Sequence, residues 1–470
     1  MVVTLSSAAS APSVATIAAA IEHQRQFFAT GQTRSLPDRR QQLLKLQAAI
    51  DRQGETLIQA VSQDLGKPYF EACISEISAI RMDLAHTLKN LKTWAKPKPA
   101  APTLAQFPAQ AWIQPEPLGV VLIIGPWNYP LSLVLQPLIG AIAAGNCAIL
   151  KPSEIAPASS AAIAALIQET FDPGWVTVME GGVETSQALL AHPFDHLFFT
   201  GGTAVGKVVM AAAAAHLTPV TLELGGKSPC IVEKDVDLEI AARRITWGKF
   251  FNAGQTCIAP DYLLVQEEIA EPLKQRIVAM IQQFYGDNPQ VSPDYGRIVS
   301  DRHFQRLQKL LKGGRILAGG QSDADDRYIA PTVMDGVTWA DEIMQEEIFG
   351  PILPILTYSK LEEAIAQVNA HPKPLALYFF GRNFQQQQQV LHQTSSGGVC
   401  LNDTIVHLGT PELPFGGVGP SGIGAYHGKA SFDTFSHNKS VLRRFFDLEP
   451  PLRYAPYSNL KLRLLKFFLS

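Results

Sequence analysis

Between Val14 and about Trp94 apolar residues recur every three and four positions, as in Leu43, Leu44, Leu46 and Ile50 and then Leu57, Ile58 and Val61. Charged residues fill the gaps, so the pattern predicts amphipathic helices, with Pro37 and Asp38 marking a helix start. The proline-rich KPKPAAP at 96–102 breaks the pattern. AWIQPEPLG follows and predicts an extended strand whose prolines keep it at a sheet edge.

From 119 to 222 the period changes. The apolar runs GVVLIIG, CAILKPS, WVTVMEG, HLFFTG and PVTLELGG alternate with helical stretches at 131–144, 159–171, 185–191 and 205–216. Continuous apolar strands joined by helical crossovers predict a parallel, doubly wound sheet. A second α/β series runs from about 228 to 430. Its strands are CIVE, YLLVQ, APTVM, ILPILTY, ALYFFG and GVCLN, and its helices lie at 237–252, 267–284, 301–312, 360–369 and 384–394. After Ser431 the chain reads as extended again and ends in the basic amphipathic LKLRLLKFFLS. The fold class is therefore α/β, in two α/β domains.

Composition narrows the partners. The chain has 470 residues, is 46% apolar and 17% charged, and carries a formal charge of −3. That length supports two or three domains, and the near-neutral balance argues against nucleic acid. Five cysteines without paired spacing point to a reducing, cytoplasmic setting rather than a disulfide framework. Scattered histidines and the absence of CxxC predict no metal site. The start, MVVTLSSAASAPSVA, lacks the positive charge of a secretory signal and reads as a disordered tail. No uninterrupted apolar stretch reaches 18 residues, so no membrane span is expected.

The candidate chemistry begins with FFNAGQTCIAP, 250–260. Cys257 follows Asn252, Gly254, Gln255 and Thr256, a loop composition, whereas Cys73, Cys147, Cys230 and Cys400 sit in or beside apolar runs, as core cysteines do. FFTGGTAVGK places Gly201, Gly202, Thr203 and Gly206 between a strand and a helix, where backbone N–H groups can face a phosphate. The alternative is a plain strand–helix turn. Val208 stands where a nucleotide triphosphatase needs a magnesium-binding hydroxyl, which argues against that activity. In ILKPSE, Lys151 and Glu154 end a buried strand and can meet ribose hydroxyls, or form a solvated loop pair. In GPWNYP, Asn128 can stabilise an oxyanion or cap the next helix. In LELGGKSP, burial would raise the proton affinity of Glu223 and suit a general base, unless backbone donors satisfy it. In QEEIFGP, Glu347 and Phe349 can touch a ribose and a flat ring, or be a turn acid beside a core phenylalanine.

PWNYP, KPSE, FTGGTAVG, ELGGKSP, NAGQTCIAP, EEIFGP and PFGGVGPSG together resemble the aldehyde dehydrogenase superfamily, in its order and spacing, over roughly residues 20 to 445. The short N-terminal region, PWNYP and NAGQTCIAPDY are most similar to the class-three branch, which includes fatty-aldehyde dehydrogenases. The resemblance implies an NAD-binding domain at 1–107 and 119–222, a catalytic domain at 223–431, an oligomerisation arm at 108–118 and 432–444, and a tail at 445–470. It implies Cys257 as nucleophile, Glu223 as general base, and Asn128 with the Cys257 backbone N–H as oxyanion hole. It assigns cofactor contacts to Trp127, Lys151, Ser153, Glu154, Gly201, Gly202, Thr203, Gly206, Leu224, Glu347 and Phe349. Gly202 departs from relatives that often carry serine or asparagine there.

The activity so implied is oxidation of aldehydes to carboxylic acids through a cysteine thiohemiacetal and thioester, with NAD preferred and NADP tolerated. Local dipoles are expected to raise the thiolate fraction of Cys257. An acylating enzyme using coenzyme A is the alternative, against which the presence of Glu223 counts; a non-catalytic relative is another, which would have lost Cys257 or Glu223. A homodimer is expected. The basic apolar tail is expected to cover the substrate entrance, favouring medium- to long-chain or bulky apolar aldehydes, to pack on the body of the protein, or to rest on a membrane surface.

Overall fold

A computed structural model describes residues 12–103, 106–446, 449 and 451–469. The helical N-terminal region forms as α1 (Val14–Ala29), α2 (Leu36–Leu65), α3 (Tyr69–Ala72) and α4 (Ala79–Trp94), the last two joined by a π turn at Cys73–Ser78. Ser35 caps α2 by accepting from the Asp38 N–H, and Pro37 lies in its first turn. Of the tail expected at the start, residues 1–11 lie outside the described residues; Ser13 caps α1, so Val14 and Ala15 are helical.

The first sheet comprises β3 (Val120–Ile124), β4 (Cys147–Lys151), β5 (Val176–Val178), β6 (His196–Thr200) and β7 (Val220–Glu223). Between them run α5 (Ser132–Ala144), α6 (Pro157–Thr170), α7 (Val183–Leu190) and α8 (Thr203–Ala214). Strands β3, β4 and β6 are buried at every position, which is why they read as unbroken apolar runs. Helix α5 is buried all round and is apolar on every face. The parallel order is β7-β6-β3-β4-β5, so the chain reverses direction between β3 and β6. That switch point is where open α/β sheets take ligands, outside the strands' carboxyl ends.

The second sheet holds β8 (Pro229–Val232), β9 (Tyr262–Gln266), β13 (Thr332–Asp335), β14 (Ile352–Tyr358), β15 (Ala376–Phe380) and β16 (Gly398–Leu401), parallel in the order β13-β14-β9-β8-β15-β16. Its helices are α9 (Leu238–Phe250), α10 (Glu267–Tyr285), α11 (Asp301–Leu310), α12 (Leu361–Asn369) and α13 (Phe384–Gln393). Short pieces that the sequence does not announce complete the sheets. They are β10 (Arg315–Ala318), antiparallel to β13, the β11 (Ser322–Asp323) and β12 (Tyr328–Ile329) pair, and β17 (Gly422–Ile423), antiparallel to β7. Two to four residues are too few to display a period.

A third sheet is made of β1 (Lys98–Ala100), β2 (Ala109–Pro117) and β18 (Ser436–Arg444), with β2 in the middle. The edge placement expected for β2 is corrected in a specific way. Its partner β1 pairs only with Ala111, Trp112 and Ile113, so Pro115 and Pro117 lie beyond it and need no donor on that side. Phe432 to Thr434, expected to be extended, instead finish α14 (Gly428–Thr434). At the end of the chain, α15 (Asn459–Leu469) packs on the turn at Pro451–Arg453 and leaves Leu460 and Leu462 exposed. No helix of the described residues is long and apolar enough to cross a membrane.

Candidate active site

Helix α9 runs out at Phe250, and the loop after it is held in an uncommon shape. Asn252, Ala253 and Gly254 take successive φ values of 54°, 51° and 72°. Left-handed angles are costly for residues with a Cβ and persist only where the surroundings enforce them. Here the polar residues do the enforcing, from inside the protein. The Asn252 side chain donates to the Asn128 carbonyl (3.0 Å) and the Gln255 carbonyl (3.1 Å). Gln255 donates to the carbonyls of Asn252 (3.1 Å) and Arg297 (2.9 Å) and accepts from the Val299 N–H (3.0 Å). The Thr256 hydroxyl bonds to that of Tyr129 at 2.5 Å. Asn252 and Gln255 are each only 1% exposed, so a loop composition hides a fully satisfied buried network.

Cys257 stands at the end of this network, on the wall of a cavity of about 290 Å³. The cavity is apolar, lined by Leu133, Trp247, Phe251, Ile405 and Phe415 among others. Burial pushes the Cys257 thiol up, and the carboxyls of Glu347 and Glu223 push it further. The N–H groups of Cys257 and Ile258 oppose this only in part. The expectation that dipoles would favour the thiolate is thus corrected: desolvation wins.

Asn128 is buried beside the loop. Its side-chain amide donates to the Gln255 carbonyl at 3.0 Å and keeps a second hydrogen for another acceptor. It does not cap α5, because Glu76 accepts the Leu131 and Ser132 N–H groups instead (3.2 and 2.7 Å). Glu223 ends β7, 2% exposed, and neither of its carboxylate oxygens has a hydrogen-bond partner among the described residues. Burial alone holds its proton affinity well above the ordinary carboxylate range. The alternative of a strand-end acid satisfied by backbone donors fails. Neither Asn128 nor Glu223 lines the cavity itself.

The remaining motifs gather at the carboxyl ends of β3, β4, β6 and β7. The Gly201 N–H donates to the Glu223 carbonyl (3.0 Å), and Gly202 begins α8 without a side-chain cap. A Cβ added to Gly202 would meet nothing within 4 Å, whereas one on Gly206 would strike Leu224 at 2.6 Å. Thr203 donates to the Pro420 carbonyl (3.4 Å). Lys151, buried, donates to the exposed Glu154 carboxylate at 2.6 Å, so it is no solvated side chain. Ser153 faces its own turn and accepts from the Ile155 N–H (3.3 Å).

Two further loops close on these. Glu347 presses on Gly225, where an added Cβ would lie 2.1 Å from its carboxylate, and burial and Asp261 raise its proton affinity to about 8. Phe349, at φ 49°, meets Trp127 edge-on at 5.3 Å. The turn-acid alternative for this pair does not fit contacts made to two separate loops of the first sheet.

The family's sequence profile, described as the aldehyde dehydrogenase family, matches residues 4–441. The chain belongs to the aldehyde dehydrogenase family. It is 50% identical to mouse (Mus musculus) aldehyde dehydrogenase family 3 member B1 over 447 residues, covering 95% of this chain and 96% of the relative. It is also 50% identical to the 4,4'-diaponeurosporen-aldehyde dehydrogenase of Staphylococcus aureus over 448 residues, 95% and 97% of the two chains. A solved structure described as the substrate-bound state of Staphylococcus aureus AldH superposes with a TM-score of 0.95 at 48% identity, covering 97% of this chain and 99% of that one. Such relatives put this aldehyde dehydrogenase in the class-three branch, as an enzyme that oxidises aldehydes with NAD(P). The residues present fit that cofactor. The uncapped start of α8 leaves its first-turn N–H groups without intrahelical partners, and the backbone at Gly202 is open to a phosphate.

Several residues of the site have no signature in the sequence. Lys67, Glu71 and Glu76 read as charges between the apolar positions of a helix, yet all three are buried. The cavity wall draws on residues 74–83, 129–136, 247–258 and 405–427, which nothing in the sequence connects.

Proposed function

We propose that this aldehyde dehydrogenase converts medium- to long-chain or bulky apolar aldehydes to carboxylic acids, with Cys257 as the nucleophile. The observation that carries the reading is Cys257 on an apolar cavity wall, in a loop whose Gln255 carbonyl holds the Asn128 amide, with the unpaired Glu223 carboxylate near enough to raise its thiol. Cys257 gives its proton to water as its sulfur attacks the aldehyde carbon. The free hydrogen of the Asn128 amide and the Cys257 N–H receive the charge that builds on oxygen. NAD(P), when bound, supplies the hydride acceptor that lets the adduct become a thioester. Glu223 then takes a proton from water, which releases the acid. Trp127, Lys151, Ser153, Glu154, Gly201, Gly202, Thr203, Gly206, Leu224, Glu347 and Phe349 hold the cofactor. Trp127 and Phe349 offer aromatic edges, and Glu347 a hydrogen-bond acceptor for a ribose.

NAD is preferred and NADP tolerated. Glu154 accepts from a ribose hydroxyl and repels a 2′-phosphate, while Lys151, already paired with Glu154, offsets this only partly. A lower KM for NADP than for NAD would contradict the assignment. Our domain proposal is the division at 1–107 with 119–222, 223–431, 108–118 with 432–444, and 445–470, amended in that Lys98–Ala100 join the arm and Gly422–Ile423 join the first sheet. The chain forms a homodimer through the β2–β18 sheet, whose Ile113 and Leu442 are exposed; sedimentation as a monomer would exclude it. Helix α15, with Lys461, Arg463 and Lys466 among leucines, offers a peripheral membrane contact second to packing on the protein or covering the substrate entrance, and the enzyme works in the cytoplasm.

The deciding experiment follows reduction of NAD at 340 nm with decanal and with short aldehydes. Wild type is expected to prefer decanal. Cys257→Ala is expected to lose at least about a thousandfold in turnover. A mutant of wild-type activity would end the proposal.

A further inference from the structure

Residues 67–76 link α2 to α4 and carry three buried ionisable side chains to which the mechanism above gives no role. Lys67, 1% exposed, donates to the Glu76 carboxylate (3.2 Å) and to the Asn128 carbonyl (3.0 Å), with its ammonium 4.0 Å above the Tyr129 ring. The other oxygen of Glu76, 0% exposed, accepts from the Leu131 and Ser132 N–H groups at the start of α5. Glu71 accepts from the Asn252 N–H at 2.9 Å. One segment therefore grips the PWNYP loop through Lys67 and Glu76 and the cysteine loop through Glu71. The two loops are also tied to each other, because the Asn252 side chain donates to the same Asn128 carbonyl that Lys67 holds. A π turn, a feature frequent at functional sites, begins in this stretch at Cys73.

A buried ammonium–carboxylate pair is a poor source of stability. Its desolvation cost often exceeds its attraction, and apolar side chains of like volume serve as well or better. The remaining hydrogen bonds of this pair go to the Asn128 carbonyl and to Leu131 and Ser132, which begin α5 directly after the loop that carries Asn128. We infer that Lys67, with Glu76 and Glu71, is a positioning group that fixes the Asn128 amide against the Cys257 loop, so that both oxyanion donors are set before the aldehyde arrives. The inference rests on the roles proposed for Asn128 and Cys257. It explains why the Asn128 carbonyl, in the loop after β3, has two donors. A small rotation of that peptide would swing the side-chain amide away from the reacting carbon, and misplacement by an ångström can cost about a hundredfold in rate.

The test is the double variant Lys67→Met/Glu76→Gln, which removes both charges and leaves an amide oxygen for Leu131 and Ser132. First-turnover NADH formation, the aldehyde KM and NAD affinity are measured, with and without Asn128→Ala. First-turnover rate is expected to fall between about tenfold and a hundredfold, while aldehyde KM and NAD affinity move less than about threefold. Asn128→Ala is expected to cost about a hundredfold in wild type, and adding the double variant to Asn128→Ala is expected to cost less than about threefold more, because both act on one amide. A first-turnover rate within about twofold of wild type, or full additivity with Asn128→Ala, overturns the inference. If the double variant does not fold, Lys67→Arg serves, which keeps the charge and moves the donors; about a tenfold loss supports the inference and a wild-type rate overturns it. Wild-type activity in Cys257→Ala would sink the underlying reading, whereas loss there beside an unaffected Lys67 variant sinks only this inference.

Discussion

Two turns built from similar residues behave in opposite ways. The loop at 252–257 and the turn at 201–206 both mix glycine with small polar side chains. In the first, three successive residues are left-handed, each of its three polar side chains before Cys257 has a protein partner, and an added Cβ on Gly254 would lie 2.3 Å from the Gly350 carbonyl. In the second, Gly202 has ordinary extended angles and empty space around it. The first is finished before any ligand comes. The second leaves the start of α8 without a side-chain cap. An attacking sulfur needs its surroundings fixed in advance, while phosphate oxygens are met by backbone donors already pointing outward.

Glu223 joins the two and should give the largest effect after Cys257 itself. Its carbonyl accepts from Gly201 in the open turn, and its unpaired carboxyl lies near enough to raise the Cys257 thiol in the closed one. Burial raises its proton affinity, so it holds its proton to higher pH than an ordinary carboxyl and can act as a base only once that proton is lost. The active carboxylate fraction therefore grows as pH rises, about tenfold per unit below its pKa. We expect kcat to climb with pH over a range displaced upward from that of an ordinary carboxyl, and Glu223→Gln to lower kcat about a hundredfold and flatten the profile. A pH-independent wild-type kcat would mean that this carboxyl is not the base.

Gly254→Ala should come next, and it tests the closed turn directly. The substitution combines a left-handed angle of 72° with a collision against backbone that cannot step aside. Strain of about 1–3 kcal/mol and overpacking of about 1–3 kcal/mol are expected to add to a loss of about 2–6 kcal/mol. Denaturant melts would register it, and turnover should fall with it. A variant as stable as wild type would show that the loop is not held as described.

The same contrast explains what was legible in the sequence. The parallel strands were, because burial on both faces leaves them no polar positions, as in Val120 to Ile124. Cys257, Glu223 and Asn128 were, because polar residues at strand ends or in glycine loops stand out against apolar runs. Lys67, Glu71 and Glu76 were not: their spacing matches the exposed face of a helix, and only the packed structure turns them inward. The sign of the Cys257 shift was not either, since it depends on how much water the fold removes and how near Glu347 comes, neither of which has a local signature.

Gly202→Ala should have the smallest effect, and for that reason it sharpens the comparison most. At φ −73° and ψ 149° alanine fits without strain, and the methyl group meets nothing within 4 Å. Removing glycine's freedom from the unfolded chain is expected to stabilise the protein by about 0.4–1 kcal/mol. NAD affinity, measured by fluorescence titration, should change less than about twofold if phosphate is met by N–H groups that the methyl group does not cover. A loss of affinity of tenfold or more would mean that the empty space at Gly202 is itself filled when the cofactor binds. The turn would then be as demanding as the cysteine loop, with its demand hidden until the ligand arrives.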